Sequence, residues 1–454
     1  MSDFPPSSQV LVEQLTEVTN AGGDVDQLIL SWTARTLIEV DAAARGRRFA
    51  WPHQQRLIPH EVPLLSMTHD GHRREAAVRM LSSRSGVASD RLLALRLGDH
   101  VRQVRRAAWQ ALLARSFAPQ LDVVVPVLVA LRGRVVSSTA LDDYARAVEP
   151  RLGHALWRDF LEHPDPGTRR WAVTEQITCG MDPATALEQL GREQDLLLVR
   201  ALVEVAVGRQ EIAHSLLGGR TAIGRRRALE VLRASALSVA QIEQRLLDRS
   251  SMVRRMAAFR AKDVGVDART WYCERWTACQ DPRALAGLLD CGDTIPKEEV
   301  HVLMGSGASG LQRLGVRFLA RLGVERDDLP SLWGLLDGPA ASQVVRTLAR
   351  SSCWGWADVA DRWESADERL RRRLWRLLSS RGGWDEVRAH LLAAADPRVA
   401  ALGRSGLDSW ALHRASRMYR WPTPEQRAHI VALLETADIP TSQQERIHFG
   451  VGLD

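Results

Sequence analysis

From residue 239 the chain reads VAQIEQRLLDRSSMVRRMAAFRAK. Apolar side chains recur at three- and four-residue intervals on either side of DRSS, a spacing that gathers them on one face of a helix and not on alternate faces of a strand. The stretch predicts two helices joined by a turn. The pattern returns along the chain: Ala77, Ala107, Ala172, Ala201, Ala228 and Ala257, then Ala286, Gly315, Val344, Ala400 and Ala428, hold matching places at steps mostly of 27 to 30 residues. The longer gaps, 107 to 172 and 344 to 400, are close to double steps. Such a period is the mark of stacked hairpins, each burying its apolar face against the next.

The turns carry their own chemistry. Asp165-Pro166, Asp281-Pro282 and Asp396-Pro397 recur at steps of 116 and 115 residues. An aspartate can cap a helix while the proline takes its first turn, where a missing N–H is harmless. Upstream, QVLVEQLTEV and DVDQLILSWTARTLIEVDAAARG predict two helices capping the array, and GRRFAWPHQQRLIPHEVP a linker, so that residues 1–63 form a helical cap and linker. Residues 438–454 read as a C-terminal tail or partial cap. The stretch 123–150, with an internal proline and no Asp/Arg pair, predicts an irregular unit.

A turn aspartate followed six residues later by arginine, with a small residue behind, occurs as Asp99/Arg105, Asp248/Arg254 and Asp367/Arg373. With the period, these residues make the chain resemble the HEAT-repeat family, in particular its short bacterial HEAT-like members, over roughly residues 64 to 435. The resemblance implies an all-α fold, a right-handed α-solenoid of about twelve HEAT-like helical hairpins across 64–437, in which those arginines and aspartates form a structural ladder. It specifies a fold and no single function.

The helical wheel places Arg105 at the edge of the apolar face and sends Arg106 nearly opposite. Comparable basic pairs lie at or near matching places in other repeats, and one member of each, Arg74, Arg106, Arg170, Arg226, Arg255 and Arg372, is expected on a solvent stripe open to a ligand. The plainer reading is a ladder arginine beside a solvated one. Charge permits an acidic partner without demanding it, since 61 basic residues nearly balance 55 acidic ones for a net +6. Lys262 and Lys297 are the only lysines, and arginine suits forked contacts to carboxylate or phosphate.

The expected function is a noncatalytic scaffold that binds a protein partner with an acidic surface through its second helices. The alternative is nucleic-acid binding, at its extreme a DNA glycosylase acting on alkylated bases, since such HEAT-like enzymes set tryptophans and an acid on a basic concave surface. Trp109, Trp171 and Trp375 adjoin basic pairs, with inter-repeat core as their plainer role, and no motif singles out a catalytic acid.

Other motifs lead nowhere chemical. Gly305, Gly307 and Gly310 have dinucleotide-loop spacing without the alternating strands that fold requires, and they fall where a periodic turn belongs. His53, His60, His69 and His72 crowd together, but Asp70-Gly71 breaks helical spacing between the last two, so neither metal nor cofactor is expected. Cys179, Cys273, Cys279, Cys291 and Cys353 lack close pairs and predict reduced, mostly buried thiols. MSDFPPSSQV holds an acid and two prolines in place of a leader's apolar run, and no stretch reaches the roughly 18 apolar residues of a membrane span. A cytoplasmic location is the expectation.

Overall fold

The structure, a computed structural model, describes residues 7–46, 58–115, 118–133, 139–153 and 159–452. Among them it is all-α: 28 α-helices, a few 3-10 turns and no strand. The chain divides into two compact units, Met1–Leu232 and Arg233–Asp454. The division falls inside the stretch expected to form one array.

The first unit opens with helices Ser8–Asn20, Val25–Ser31 and Ala34–Gly46. The sequence led to two; extended backbone at Trp32 breaks the second. These helices pack on Val87–Arg96 and Ala118–Leu131. Val87–Arg96 is buried from Ala88 through Arg96, charged residues included. Burial of a charge is tolerable only with a partner, and each charged side chain here has one. Arg91 donates to the carbonyls of Ile29 and Trp32, at 2.6 and 2.5 Å, closing the C-terminal end of helix Val25–Ser31. Asp90 pairs with Arg115 at 2.8 Å, and Arg96 joins a cluster described below. Of the linker, residues 47–57 lie outside the described residues, whereas Val62–Ser66 is a buried helix.

Further along the unit, second helices pack on second helices: Gly71–Ser83 on Arg102–Arg115, and Pro166–Thr178 on Leu196–Ala206, which packs in turn on Ala222–Val231. In the stretch 123–150, Pro126 sits inside helix Ala118–Leu131 and Pro150 inside Ala140–Leu152. Residues 134–138 between them lie outside the described residues.

The second unit begins with Val239–Leu246 and Ser251–Ala261, the two helices read from VAQIEQRLL and MVRRMAAFRAK. Ala268–Cys279 pairs with Pro282–Cys291, and Lys297–Met304 with Ser309–Leu322. Tyr272 ties neighbouring hairpins together: its hydroxyl donates to the Leu246 carbonyl at 2.9 Å. Its ring lies where a side chain on Gly287 would stand, 2.1 Å from a Cβ built there. The series continues through Ala341–Leu348 and Glu368–Ser379 to Gly383–Ala394 and Ala400–His413. These last two approach so closely that a Cβ on Gly403 would lie 2.3 Å from the Ala394 nitrogen.

Residues 438–454, expected as a tail or partial cap, contain the helix Thr441–Val451. Its Ile447 and Val451 join Trp384, Leu407, Trp410 and Ile430 in one buried core. A short amphipathic stretch near the terminus gave no sign of that core, whose other members lie dozens of residues upstream.

Two of the three Asp-Pro turns act as expected. Asp165 and Asp281 are N-caps with proline in the first turn, accepting from Thr168 at 2.7 Å and Arg283 at 2.9 Å. Asp396 accepts from Arg398 N at 3.1 Å, two residues on as Asp281 does, and its other oxygen takes Arg371, but the helix Ala400–His413 begins later, with Val399 at the cap position. Gly305 and Gly307 lie in the turn between helices Lys297–Met304 and Ser309–Leu322, and Gly310 lies in the first turn of the second.

Candidate functional site

Counting from the N-cap puts the basic pairs in order. Arg74, Arg169, Arg225, Arg254 and Arg371 each stand four residues after the caps Asp70, Asp165, Thr221, Ser250 and Asp367. Arg105 stands four after Val101, whose carbonyl accepts from the Arg105 amide as each cap carbonyl does in its helix. Helical side chains lean toward the N-terminus, so a guanidinium at this place reaches the turn before its own helix.

There it closes carbonyls that the preceding helix leaves without partners. Arg74 Nη1 donates to the carbonyls of Thr68 and His69 at 2.8 and 2.7 Å. Arg169 does the same to His163 and Pro164 at 2.7 and 3.0 Å, and Arg225 to Gly219 and Arg220 at 2.8 and 2.9 Å. Arg254 reaches Asp248 and Arg249 at 2.6 and 3.1 Å, and Arg105 the Asp99 carbonyl at 2.5 Å.

The other edge of the guanidinium takes an acid from farther along the chain. Arg74 grips Asp99, 25 residues on, with both Nε and Nη2, at 2.8 and 3.0 Å. Arg169 meets Glu193 at 3.3 Å, 24 residues on, and Arg371 meets Asp396, 25 on. Arg254 takes Asp290, 36 on.

Three expectations are corrected by this register. Arg74 is fully buried and belongs to the ladder, not to the solvent stripe; its helix carries Glu75 at the outward place. Arg373 stands two residues past the ladder place, reaching the Leu336 carbonyl and lying 3.6 Å from Asp337; Arg371 fills its role. The turn aspartates are not the acid partners of the arginines six residues on. Asp367 caps its helix through Leu370 N at 2.7 Å, Asp248 accepts from Ser250 N at 2.9 Å, and the Asp99 carboxylate serves Arg74.

Asp99 gathers three arginines. Besides Arg74 it meets Arg45 at 2.9 Å and Arg96 at 3.2 Å, and it accepts from Val101 N at 3.0 Å. Arg96 also pairs with buried Asp41. Burial alone would raise the Asp99 carboxyl, but the Arg74 and Val101 N–H bonds and the Arg96 and Arg45 charges outweigh it, holding the group down at about 2.

One residue past the ladder place the side chains turn outward. Arg106, Arg170, Arg226, Arg255 and Arg372 are all exposed there. Arg200 and Arg313, exposed, and Arg404, half-buried, occupy the same place in Leu196–Ala206, Ser309–Leu322 and Ala400–His413. The sequence reading passed over these three because no basic neighbour marks them; counting five residues from the cap finds them. In the first unit Arg170, Arg200 and Arg226 sit on three successively packed helices.

The outward face is mixed in sign. Arg170 pairs with Asp195 at 2.7 Å, and its hydrogen bond holds that carboxyl below the usual range. Arg226 pairs with Glu230 and Arg372 with Glu368 along their own helices. Glu75 and Arg106 line one shallow groove of about 490 Å³ between adjacent second helices. Apolar side chains share the face: Leu196 and Leu197, 66% and 56% exposed, stand one turn before Arg200, while Met252 and Phe259, 40% and 71% exposed, flank Arg255.

The tryptophans beside the pairs are packed inward. Trp171 is buried edge-on against Phe160, half-buried Trp109 meets Tyr144 edge-on, and half-buried Trp375 donates to His390 Nδ1 at 3.1 Å. His53 lies outside the described residues, and His60, His69 and His72 are exposed. Among the described residues no group of three or more His, Cys, Asp and Glu could hold a metal ion. The cysteines are unpaired, but Cys179, Cys273, Cys279 and Cys291 are exposed and Cys353 half-buried, against the expectation of burial. Cys179, Cys279 and Cys291 sit at helix C-terminal ends and Cys353 between helices, whereas Cys273 stands mid-helix in Ala268–Cys279. Among the described residues no helix is long and apolar enough to cross a membrane.

No protein-family model matches this chain, and no curated protein matches it. Among solved structures the chain is similar to an engineered protein from the Northeast Structural Genomics Consortium, at 15% identity over 95% of this chain and 100% of that one. The TM-score of 0.16 carries no argument about fold.

Proposed function

We propose that each unit is a stack of HEAT-like hairpins, an α-solenoid segment, and that the protein is a noncatalytic scaffold docking a partner protein on the outward face of its second helices. Support for the stack comes from second helices packing on second helices and from the ladder arginines Arg74, Arg105, Arg169, Arg225, Arg254 and Arg371, each of which closes a carbonyl ahead of its own helix. The docking reading rests on one observation: the outward arginines share their faces with exposed Leu196, Leu197, Met252 and Phe259 and with acids that pair them. A phosphate-tracking surface is predominantly cationic, whereas a protein interface combines arginine, aromatic and methionine anchors with charges of both signs. The partner is expected to present acids opposite Arg200 and Arg255. Unpaired thiols fit a reducing, cytoplasmic setting.

The test replaces Arg170, Arg200 and Arg226 together with glutamate and compares partners captured from the native host, with and without nuclease. Exposed substitutions shift stability by only about 0.5 kcal/mol each, so the variant should stay folded while losing its protein partners. Unchanged capture by the variant overturns the docking face. Capture abolished by nuclease, with affinity falling about 0.9 log units per phosphate contact for each tenfold rise in salt, overturns the protein partner in favour of nucleic acid. Base release from alkylated DNA overturns the noncatalytic reading.

A further inference from the structure

At the end of the second unit a pocket of about 670 Å³ opens beside the core. Trp384 and Trp410, both buried, line it with ring centroids 6.5 Å apart. Leu412, Tyr419, Trp421 and Phe449 share its apolar lining, and all four are more than two-thirds exposed, at 75%, 87%, 74% and 71%. Apolar side chains gathered at one opening are a binding feature, unlike apolar side chains scattered singly. Gly450 allows the close approach there, since a Cβ on it would stand 2.7 Å from the Trp384 ring.

Among the described residues the charged groups of the lining are all of one sign: Arg420 and Arg446, with no acid. Of the neighbouring arginines, Arg388 has Asp385, Arg404 has Asp438 and Arg414 has Glu386, while Arg427 donates to the Gly452 carbonyl. Arg420 and Arg446 have no carboxylate partner among the described residues; Arg446 gives one N–H to the Ala411 carbonyl at 2.9 Å. The Arg420 backbone is held at the pocket by Trp384 Nε1, which donates to its carbonyl at 2.8 Å. The Trp410 indole N–H is buried with no acceptor among the described residues. A volume within roughly 300–1,000 Å³, aromatic walls and a few polar groups are the traits of a small-molecule site.

We propose that this pocket binds a small amphipathic monoanion: an apolar chain or ring system held among the aromatic side chains, with its carboxylate on Arg420 and Arg446. The site is separate from the docking face and does not depend on it. A guanidinium bond to a carboxylate is stronger than one to a neutral group, so binding follows the charge of the ligand as well as its apolar length.

The experiment titrates the full chain with dodecanoate, dodecanol and dodecyltrimethylammonium, following tryptophan fluorescence and calorimetry. Dodecanoate is expected to bind one per chain, roughly tenfold or more tighter than the alcohol, with the ammonium weakest. Arg420→Gln, which touches no internal bond of that side chain, should erase the preference for dodecanoate over dodecanol; Arg446→Gln serves as a second variant. Equal affinity for all three ligands, or an unchanged preference in both variants, overturns the proposal. So does a dimer that dodecanoate fails to dissociate in sedimentation, which would assign the pocket to a second copy. Recruitment to phosphatidylglycerol vesicles with no binding of free dodecanoate would assign it to a membrane and overturn the proposal equally.

Discussion

Asp99→Ala is expected to destabilise the first unit by about 3–5 kcal/mol, the cost of removing one partner from a buried ion pair. The substitution leaves Arg74 without its acid and Arg96 with Asp41 alone, and both guanidiniums are fully buried. The loss should be read where it arises, as faster hydrogen exchange in helix Val87–Arg96 and as a lower melting transition for the first unit. The same carboxyl sets an acid limit. It ionises at about 2 in the fold and near 3.9 in an unfolded chain. Its stabilisation is therefore complete above about pH 5 and is lost progressively as pH falls toward about 1, by about 2–3 kcal/mol. Asp99→Ala should flatten that part of the stability profile. A variant that melts and exchanges like the parent would show the cluster to contribute nothing.

Arg254→Ala and Arg255→Ala, adjacent in sequence, should differ by several kcal/mol. Arg254 has 6% of its side chain exposed, pairs with Asp290, and closes the carbonyls of Asp248 and Arg249. Its removal leaves buried Asp290 with only Arg317 at 3.5 Å, for a loss of about 3–5 kcal/mol. Arg255 is exposed and should shift stability by about 0.5 kcal/mol or less, while weakening capture of the partner. Urea unfolding of the two variants beside the parent decides the matter; equal midpoints mean that the division between ladder and docking residues is misplaced.

Errors in the sequence reading of these arginines were errors of one or two residues. Treating the second member of each pair as the outward one works for Arg105-Arg106, where the cap position is Val101, and fails for Arg73-Arg74, where it is Asp70. The signal was present in part: a capping residue followed four places later by arginine, then an acid 24 or 25 residues beyond, recurs at Arg74, Arg169 and Arg371. Reading it requires the cap to be located first, and the cap is set by how the turn packs.

The sequence by itself determined the helical class and the places of many turns, because helical periodicity, caps and prolines act over a few residues. VAQIEQRLL and MVRRMAAFRAK became the helices they spelled, and Asp165 and Asp281 became caps. Tertiary structure alone decided which arginine of each pair is buried, that Asp290 and Asp396 are ladder acids, that the chain divides at residue 232, and that Trp384, Trp410 and Phe449 meet around a pocket. Each of these depends on which helices pack together across tens of residues, and a periodic sequence leaves that choice open because its repeats present nearly the same apolar face.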